Sequence, residues 1–304
     1  MNKTNRRDFL TTLAAAGLYS PFLEAGNNPA FISFSTLGCP KWDWLTILGN
    51  ASKWGFSAIE LRGIQGEMDL TKRSEFQTEH LKESLAQLKE KNLRIIALGS
   101  SARMHEPEAA TRSKQLDEGR RFIDLAHALR APYVRVFGDK YVPGESKEAT
   151  IDRIAAGLQE LGNHAKSAGV TVLIESHGDF NDTPTLLQLL QKTNQKTVAL
   201  LWDAHHTCVA GKEDPAHTCQ ALKPYIRHVH LKDSKLSGDK RGYVLTGQGD
   251  VPVKETVRAL VKNGYKGYYN LEWEKAWAPE IAEPEIAFPH FAKTIREYLA
   301  AAKV

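Results

Sequence analysis

Eight short runs rich in β-branched and other apolar residues recur along the chain, each followed by a stretch of different rhythm. They are Phe31–Ser35, Ala58–Leu61, Arg94–Leu98, Tyr133–Phe137, Thr171–Glu175, Val198–Asp203, His228–Leu231 and Gly267–Glu272. Short apolar runs of this kind suit strands buried on both faces of a parallel sheet. The stretches between them carry helical periodicity. The clearest is Ser74–Lys91, which gathers Phe76, Leu81, Leu85 and Leu88 on one face and charges elsewhere. Further helices are expected over Ala109–Leu129, Lys147–Ser167, Thr185–Thr193, Pro215–Tyr225, Val253–Lys262 and Ala287–Ala302. Gly55, Asn92, Gly169 and Gly264 stand where helices close before the next strand, positions that favour residues tolerant of left-handed backbone.

Strict strand–helix alternation implies a parallel sheet with helices outside it. Two architectures compete, an open doubly wound sheet and a closed eight-stranded barrel. Eight units shared over the 279 residues that follow residue 25 come to about 35 residues each, the size of a TIM-barrel unit. An open dinucleotide-binding sheet would also place G-x-G-x-x-G after its first strand, whereas the sequence there reads TLGCPKWDW, with one glycine. The expected fold class is therefore α/β, a single-domain (βα)8 TIM barrel over residues 26–304.

The 304 residues carry 40 Lys+Arg against 36 Asp+Glu, a formal charge of +4, with 42% hydrophobic and 25% charged residues. That balance is too thin for a nucleic-acid stripe, and no long basic run exists. The three cysteines form no CxxC pair, which excludes a disulfide framework or zinc finger. Residues 1–25 run from a basic head through an interrupted apolar stretch, Phe9–Leu23, to small residues near Ala25. The stretch is too weak for a stable membrane span. Arg6-Arg7-Asp8-Phe9-Leu10 resembles the twin-arginine export motif, so residues 1–25 are expected to be an export signal and the mature protein periplasmic.

Chemistry in a barrel sits at the carboxyl ends of its strands. Four consecutive expected strands end in Glu175, Asp203, His230 and Glu272. Three carboxylates converging without a cation would repel and raise each other's pKa, and a divalent ion removes that conflict. Two Glu, one Asp and one His form a mixed oxygen/nitrogen shell suited to Mn²⁺, Zn²⁺, Co²⁺ or Fe²⁺. His228 shares a strand face with His230 and lies deeper or acts as an interior histidine. His206, three residues beyond Asp203, can lie beside the ion, while His205 would point away.

At these residues the chain resembles the xylose-isomerase-like TIM-barrel superfamily of sugar isomerases and epimerases. The resemblance rests on Glu175-Ser-His-Gly, Asp203-Ala-His-His206, His230-Leu-Lys-Asp233, the turn Gly247–Pro252 and Leu271-Glu272. It implies one divalent metal, Mn²⁺ first (Mg²⁺ also among the alternatives), held by Glu175, Asp203, His230 and Glu272. It also implies proton transfer next to a carbonyl, with Glu175 and Glu272 as general base and acid, hence a sugar or keto-sugar isomerase or epimerase. His177, His206, Lys232, Trp273 and Glu60 are the expected substrate contacts; Trp277 and Phe180 would extend an aromatic wall, and Glu60 with Arg135 would form polar layers in the mouth. Many relatives read G-E-G where this chain has Gly247-Gln248-Gly249, which removes an acid from that turn.

Three rivals remain. A metal-dependent lyase or hydratase would use the same carbanion to expel a β substituent, as from a 3-keto-glycoside. An apurinic endonuclease would need more metal ligands and a basic DNA-binding stripe. A non-catalytic sugar-binding barrel would not need both Glu175 and Glu272. The expected partner is a small carbohydrate, with no nucleic acid; a homo-oligomer is compatible with such a barrel.

Overall fold

The computed structural model describes residues 31–302; the expected export signal over residues 1–25 lies outside them. Eight strands close into a barrel: β1 (Ile32–Ser35), β2 (Ala58–Leu61), β3 (Arg94–Arg103), β4 (Tyr133–Phe137), β5 (Thr171–Glu175), β6 (Val198–Asp203), β7 (Ile226–Leu231) and, after an antiparallel hairpin of β8 (Asp233–Ser237) and β9 (Lys240–Val244), β10 (Tyr269–Leu271). All barrel pairings are parallel and β10 returns to β1, so the barrel architecture is as expected.

Helices α1 (Trp44–Lys53), α2 (Thr78–Glu90), α3 (Ala109–Ala128), α4 (Lys147–Ala168), α5 (Thr183–Thr193), α6 (Ala204–Val209), α7 (Pro215–Leu222), α8 (Val253–Lys262) and α9 (Pro284–Ala301) fill the connections. Their starts are chemically marked. Asp43, Ser146, Asp182 and Asp214 each accept a hydrogen bond from a first-turn backbone N–H. Gly169 and Asn194 end α4 and α5 in left-handed backbone, at φ 67° and 42°.

Most of the apolar core lies between strands and helices, where Phe34 and Phe56 meet Phe288 of α9 at centroid distances of 4.4 and 6.2 Å. The barrel interior holds Leu173, Ala199 and Leu201, and charged groups stack on that layer. Among the described residues no helix is long and apolar enough to cross a membrane.

Two features depart from the sequence pattern. Helix α6 was not expected, because it is only six residues long and is built directly on a strand end, whereas α1 was marked in the sequence only by its closing Gly55. The β8–β9 hairpin was not expected either, since SKLSGDKRGYV is polar on both faces and a hairpin outside the barrel has no core to pattern it.

Candidate active site

Register brings the expected strand-end residues to one point. Asp203 pairs with His230, His230 pairs with Asn270, and Glu175 stands opposite Leu201 one strand away. Glu272 follows β10 two positions after Asn270, on the same face of the extended chain. One side-chain atom from each of Glu175, Asp203, His230 and Glu272 lies within 4.8 Å of all the others, and all four residues are buried.

The donor set fits a divalent cation. His230 Nδ1 points at Glu272 Oε1 (3.2 Å), Glu175 Oε1 (3.7 Å) and Asp203 Oδ2 (3.9 Å). His230 Nδ1 is fully buried without a hydrogen bond, and Glu175 Oε2 and Asp203 Oδ2 are met by the ion pairs with Arg135 and Lys232, which leaves lone pairs that a shared ion would use. Burial works against a charged His230 imidazole, yet Glu272 and Glu60 hold its pKa well above the ordinary value. The cluster thus draws positive charge to the centre, and the buried carboxylate/His group can hold a metal ion.

Glu60 is placed differently from the expected substrate contact. Its Oε2 accepts hydrogen bonds from His230 Nε2 (2.7 Å) and His228 Nε2 (2.9 Å), and Asn270 Nδ2 lies at 3.3 Å. With 1% exposure it lies beneath His230, directing Nδ1 toward the three carboxylates. A carboxylate behind a ligating histidine fixes its ring and tautomer. Replacing Glu60 by Gln is expected to weaken metal binding about 10–100-fold, read by competition with a fluorescent chelator; an unchanged affinity would remove Glu60 from this role.

Trp273 is also displaced from its expected place. It sits between Glu272 and Glu274, and alternation turns it outward when they turn in. It is 2% exposed, and its Nε1 donates to the Ala282 carbonyl at 2.9 Å. Phe180 is buried against Tyr141, so neither it nor Trp273 forms an aromatic wall over the cluster, while Trp277 is exposed. Arg135 is buried and pairs with Glu175 (Nε–Oε2 3.3 Å).

His177 and His206 occupy the open side. Their rings meet edge-on at 4.9 Å, and their side chains keep 35% and 23% exposure, unlike the ligand cluster. Burial, reinforced by the Lys232 charge, holds His206 at about 3, a neutral imidazole at ordinary pH. His205 turns away, as expected, and meets Ser234 Oγ at 2.8 Å.

Lys232 is fully buried among carboxylates. Its Nζ lies 2.7 Å from Asp203 Oδ2 and 2.7 Å from Glu274 Oε1, and it also pairs with Glu272 Oε2. Burial would lower its pKa, but Asp203, Glu272 and Glu274 hold it well above the ordinary lysine value. The Glu274 carboxyl is pushed up to about 7, first by burial, with Lys232 opposing and Glu272 reinforcing. Sequence reasoning gave Glu274 no role in the chemistry. Its spacing of two from Glu272 was the available signal, because both then face inward.

The His230-Leu-Lys-Asp233 pattern has a local cause as well. Asp233 Oδ2 accepts from the backbone N–H groups of Gly247 (2.8 Å) and Gly249 (3.0 Å), and Oδ1 accepts from Ser234 and Val251. Gly247 has φ 86°, and a Cβ on Gly249 would collide with the Asp233 carboxylate. The glycine turn is therefore stapled to the end of β7, and the hairpin between them brings the Tyr243 ring to 5.6 Å from His205.

Fold and site together define a parallel (βα)8 barrel with a buried carboxylate–histidine centre at the carboxyl ends of its strands. The chain belongs to the family described as xylose isomerase-like TIM barrel, whose sequence profile matches residues 48–293. It is 30% identical over 166 residues to an inosose dehydratase of Geobacillus thermodenitrificans, covering 49% of this chain and 53% of that protein. It is 28% identical over 208 residues to an inosose dehydratase of Lacticaseibacillus casei, covering 59% and 67%. The chain thus spans little more than half the length of the first of these relatives. Among solved structures, an L-ribulose 3-epimerase superposes with a TM-score of 0.74 at 17% identity, covering 90% of this chain and 96% of that one. A probable 3-DHS dehydratase of Bacillus anthracis gives 0.72 at 19% identity, covering 88% and 98%. At such identities the likeness to these structures is one of fold.

Proposed function

We propose that the protein is a divalent-metal-dependent dehydratase, a carbon–oxygen lyase, acting on a cyclic polyhydroxy ketone of the inosose type. The observation that carries this reading is the buried Lys232–Glu274 pair, in which Glu274 lies outside the four-residue cluster while Lys232 also touches Asp203 and Glu272. An isomerase or epimerase needs a base and the return of one proton. A dehydratase also needs an acid for the departing hydroxyl, and Glu274, at about 7, carries a proton in part of the population at neutral pH. The sequence relatives at 28% and 30% identity bear dehydratase names, which favours elimination over the isomerase or epimerase expected first.

In this reading Glu175, Asp203, His230 and Glu272 hold the ion, Mn²⁺ being the first candidate. When bound, the ion supplies the Lewis acidity that makes a carbon beside a carbonyl acidic enough to lose its proton. Glu175 takes that proton, with Arg135 at 3.3 Å holding its carboxylate in the charged form against the cost of burial. His177 and His206 orient ring hydroxyls from the open side. Lys232 fixes Glu274, which delivers a proton to the leaving hydroxyl. One C–H and one C–O bond break, a C=C bond forms and water leaves, so the enzyme ends in its starting protonation state after one proton passes back to Glu274.

The test is proton NMR in D₂O with the metal-loaded protein on cyclic polyhydroxy ketones and open-chain keto-sugars. Loss of water from the cyclic substrates, abolished by EDTA and restored by Mn²⁺, is the expected result. Epimer formation with carbon-bound deuterium and no dehydration would replace this reading by the isomerase one. No exchange on either class would overturn both.

A further inference from the structure

At the amino ends of the barrel strands, away from the acidic mouth, the structure forms a half-open cavity of about 710 Å³. Its floor is apolar: Ile96 and Tyr268 plug the bottom of the barrel, with Phe31 and Tyr133 packed against them. Phe31 and Tyr268 meet edge-on at 5.4 Å. The rim is cationic. Arg94 opens β3, Arg130 lies in the turn before β4, Arg227 lies near the start of β7 and Lys266 precedes β10. Among the described residues no Asp or Glu lines this cavity. Among the described residues none of the four cations forms an ion pair, although arginines elsewhere on the surface do. A smaller cavity of about 260 Å³ shares Tyr133, Arg227 and Lys266 and adds Lys223, again without an acid among the described residues.

Such segregation is hard to assign to folding. Like charges around a concave apolar surface repel one another and focus a positive potential into it. A surface with no binding role would be expected to intersperse acids among these cations, as it does around Arg73, Arg120 and Arg153. The volume falls in the range of small-molecule sites, about 300–1,000 Å³. A neutral sugar is a poor match because the floor offers few hydrogen-bonding groups, and a neutral hydrophobe would leave the rim charges uncompensated. Burial raises the Tyr133 hydroxyl while Arg227 draws it back, which sets a phenol donor within reach of that guanidinium's field.

We propose that this cavity is a second ligand site, which takes an amphiphilic organic anion. A compact apolar body would rest on Ile96, Tyr133 and Tyr268, and its carboxylate, sulfonate or phosphate would be held by Arg94 and Arg227, with Arg130 and Lys266 at the rim. Charge complementarity and concave shape carry the assignment, and they do so independently of the dehydratase reading.

The test uses the full chain, 8-anilinonaphthalene-1-sulfonate as the anionic probe and N-phenyl-1-naphthylamine as its uncharged counterpart. One saturable site for the sulfonate is expected, with blue-shifted emission. The double variant Arg94→Gln/Arg227→Gln should weaken it at least tenfold, as expected when two charge-assisted contacts are lost, while leaving the neutral probe and the metal content unchanged. Absence of a saturable site, or equal affinity in the double variant, would overturn the proposal. Binding to phosphatidylglycerol vesicles without one-to-one binding of the soluble probe would also overturn it, because the basic rim would then be a membrane-facing surface.

Discussion

Glu272→Gln is expected to remove bound metal and turnover together. The amide keeps the shape of the side chain but loses the charge that faces His230 Nδ1 at 3.2 Å and pairs with Lys232. Burial alone would raise the Glu272 pKa, yet His230 and Lys232 hold its carboxyl well below the usual range, so the native group is an anion at any ordinary pH. An amide oxygen is a weaker ligand than a carboxylate, and its NH₂ would face donors on one side or the other. Metal content after dialysis should fall from about one equivalent toward zero, and turnover by about three orders of magnitude, or about 4 kcal/mol of transition-state stabilisation. Elemental analysis and the D₂O assay read the two losses, and a cooperative thermal melt shows that the barrel is intact. Full metal content with full activity would remove Glu272 from the centre and with it the proposed chemistry.

The four-residue cluster was legible in the sequence because a barrel aligns its strand ends. Once the strands are counted, Glu175, Asp203, His230 and Glu272 must lie around one mouth, and parallel register does the rest. What the chain did not disclose is depth and direction. Glu60 ends a short strand like the others, but β2 lies across the barrel from β7, so its carboxylate reaches beneath the two histidines rather than toward the opening. Trp273 shows the complementary limit. A tryptophan beside a ligand is close in sequence, yet period-two alternation sends it into the outer core. The β8–β9 hairpin was hidden for another reason: what it buries at its base is polar, Asp233 and Ser234, so no hydrophobic pattern marks it, and Leu236 near its tip is 52% exposed.

Lys232→Met separates holding the metal from expelling water. In the metal-free protein the Lys232 ammonium is the cation that Asp203, Glu272 and Glu274 share. Removing one partner from a buried ionic cluster costs about 3–5 kcal/mol, because the remaining charges lose compensation without regaining water. The metal-free variant should therefore melt well below the metal-free wild type. Added Mn²⁺ should recover much of the difference, since a bound ligand stabilises by about 4 kcal/mol at a thousand times its dissociation constant and it compensates two of the same carboxylates. Adding Glu274→Gln should recover a further part by removing the acid left without a partner. Catalysis should divide differently. Metal content stays near the wild-type level, and exchange of the substrate's carbon-bound proton with solvent deuterium persists, because neither depends on the Lys232–Glu274 pair. Water loss should fall by about 10²–10⁴-fold, the usual contribution of a positioned general acid. If exchange and dehydration fall in equal measure, Lys232 acts before the carbon–oxygen bond breaks, and proton delivery to the leaving hydroxyl must be assigned to His177 or His206 instead. If neither falls while stability does, the lysine serves only to compensate the buried acids.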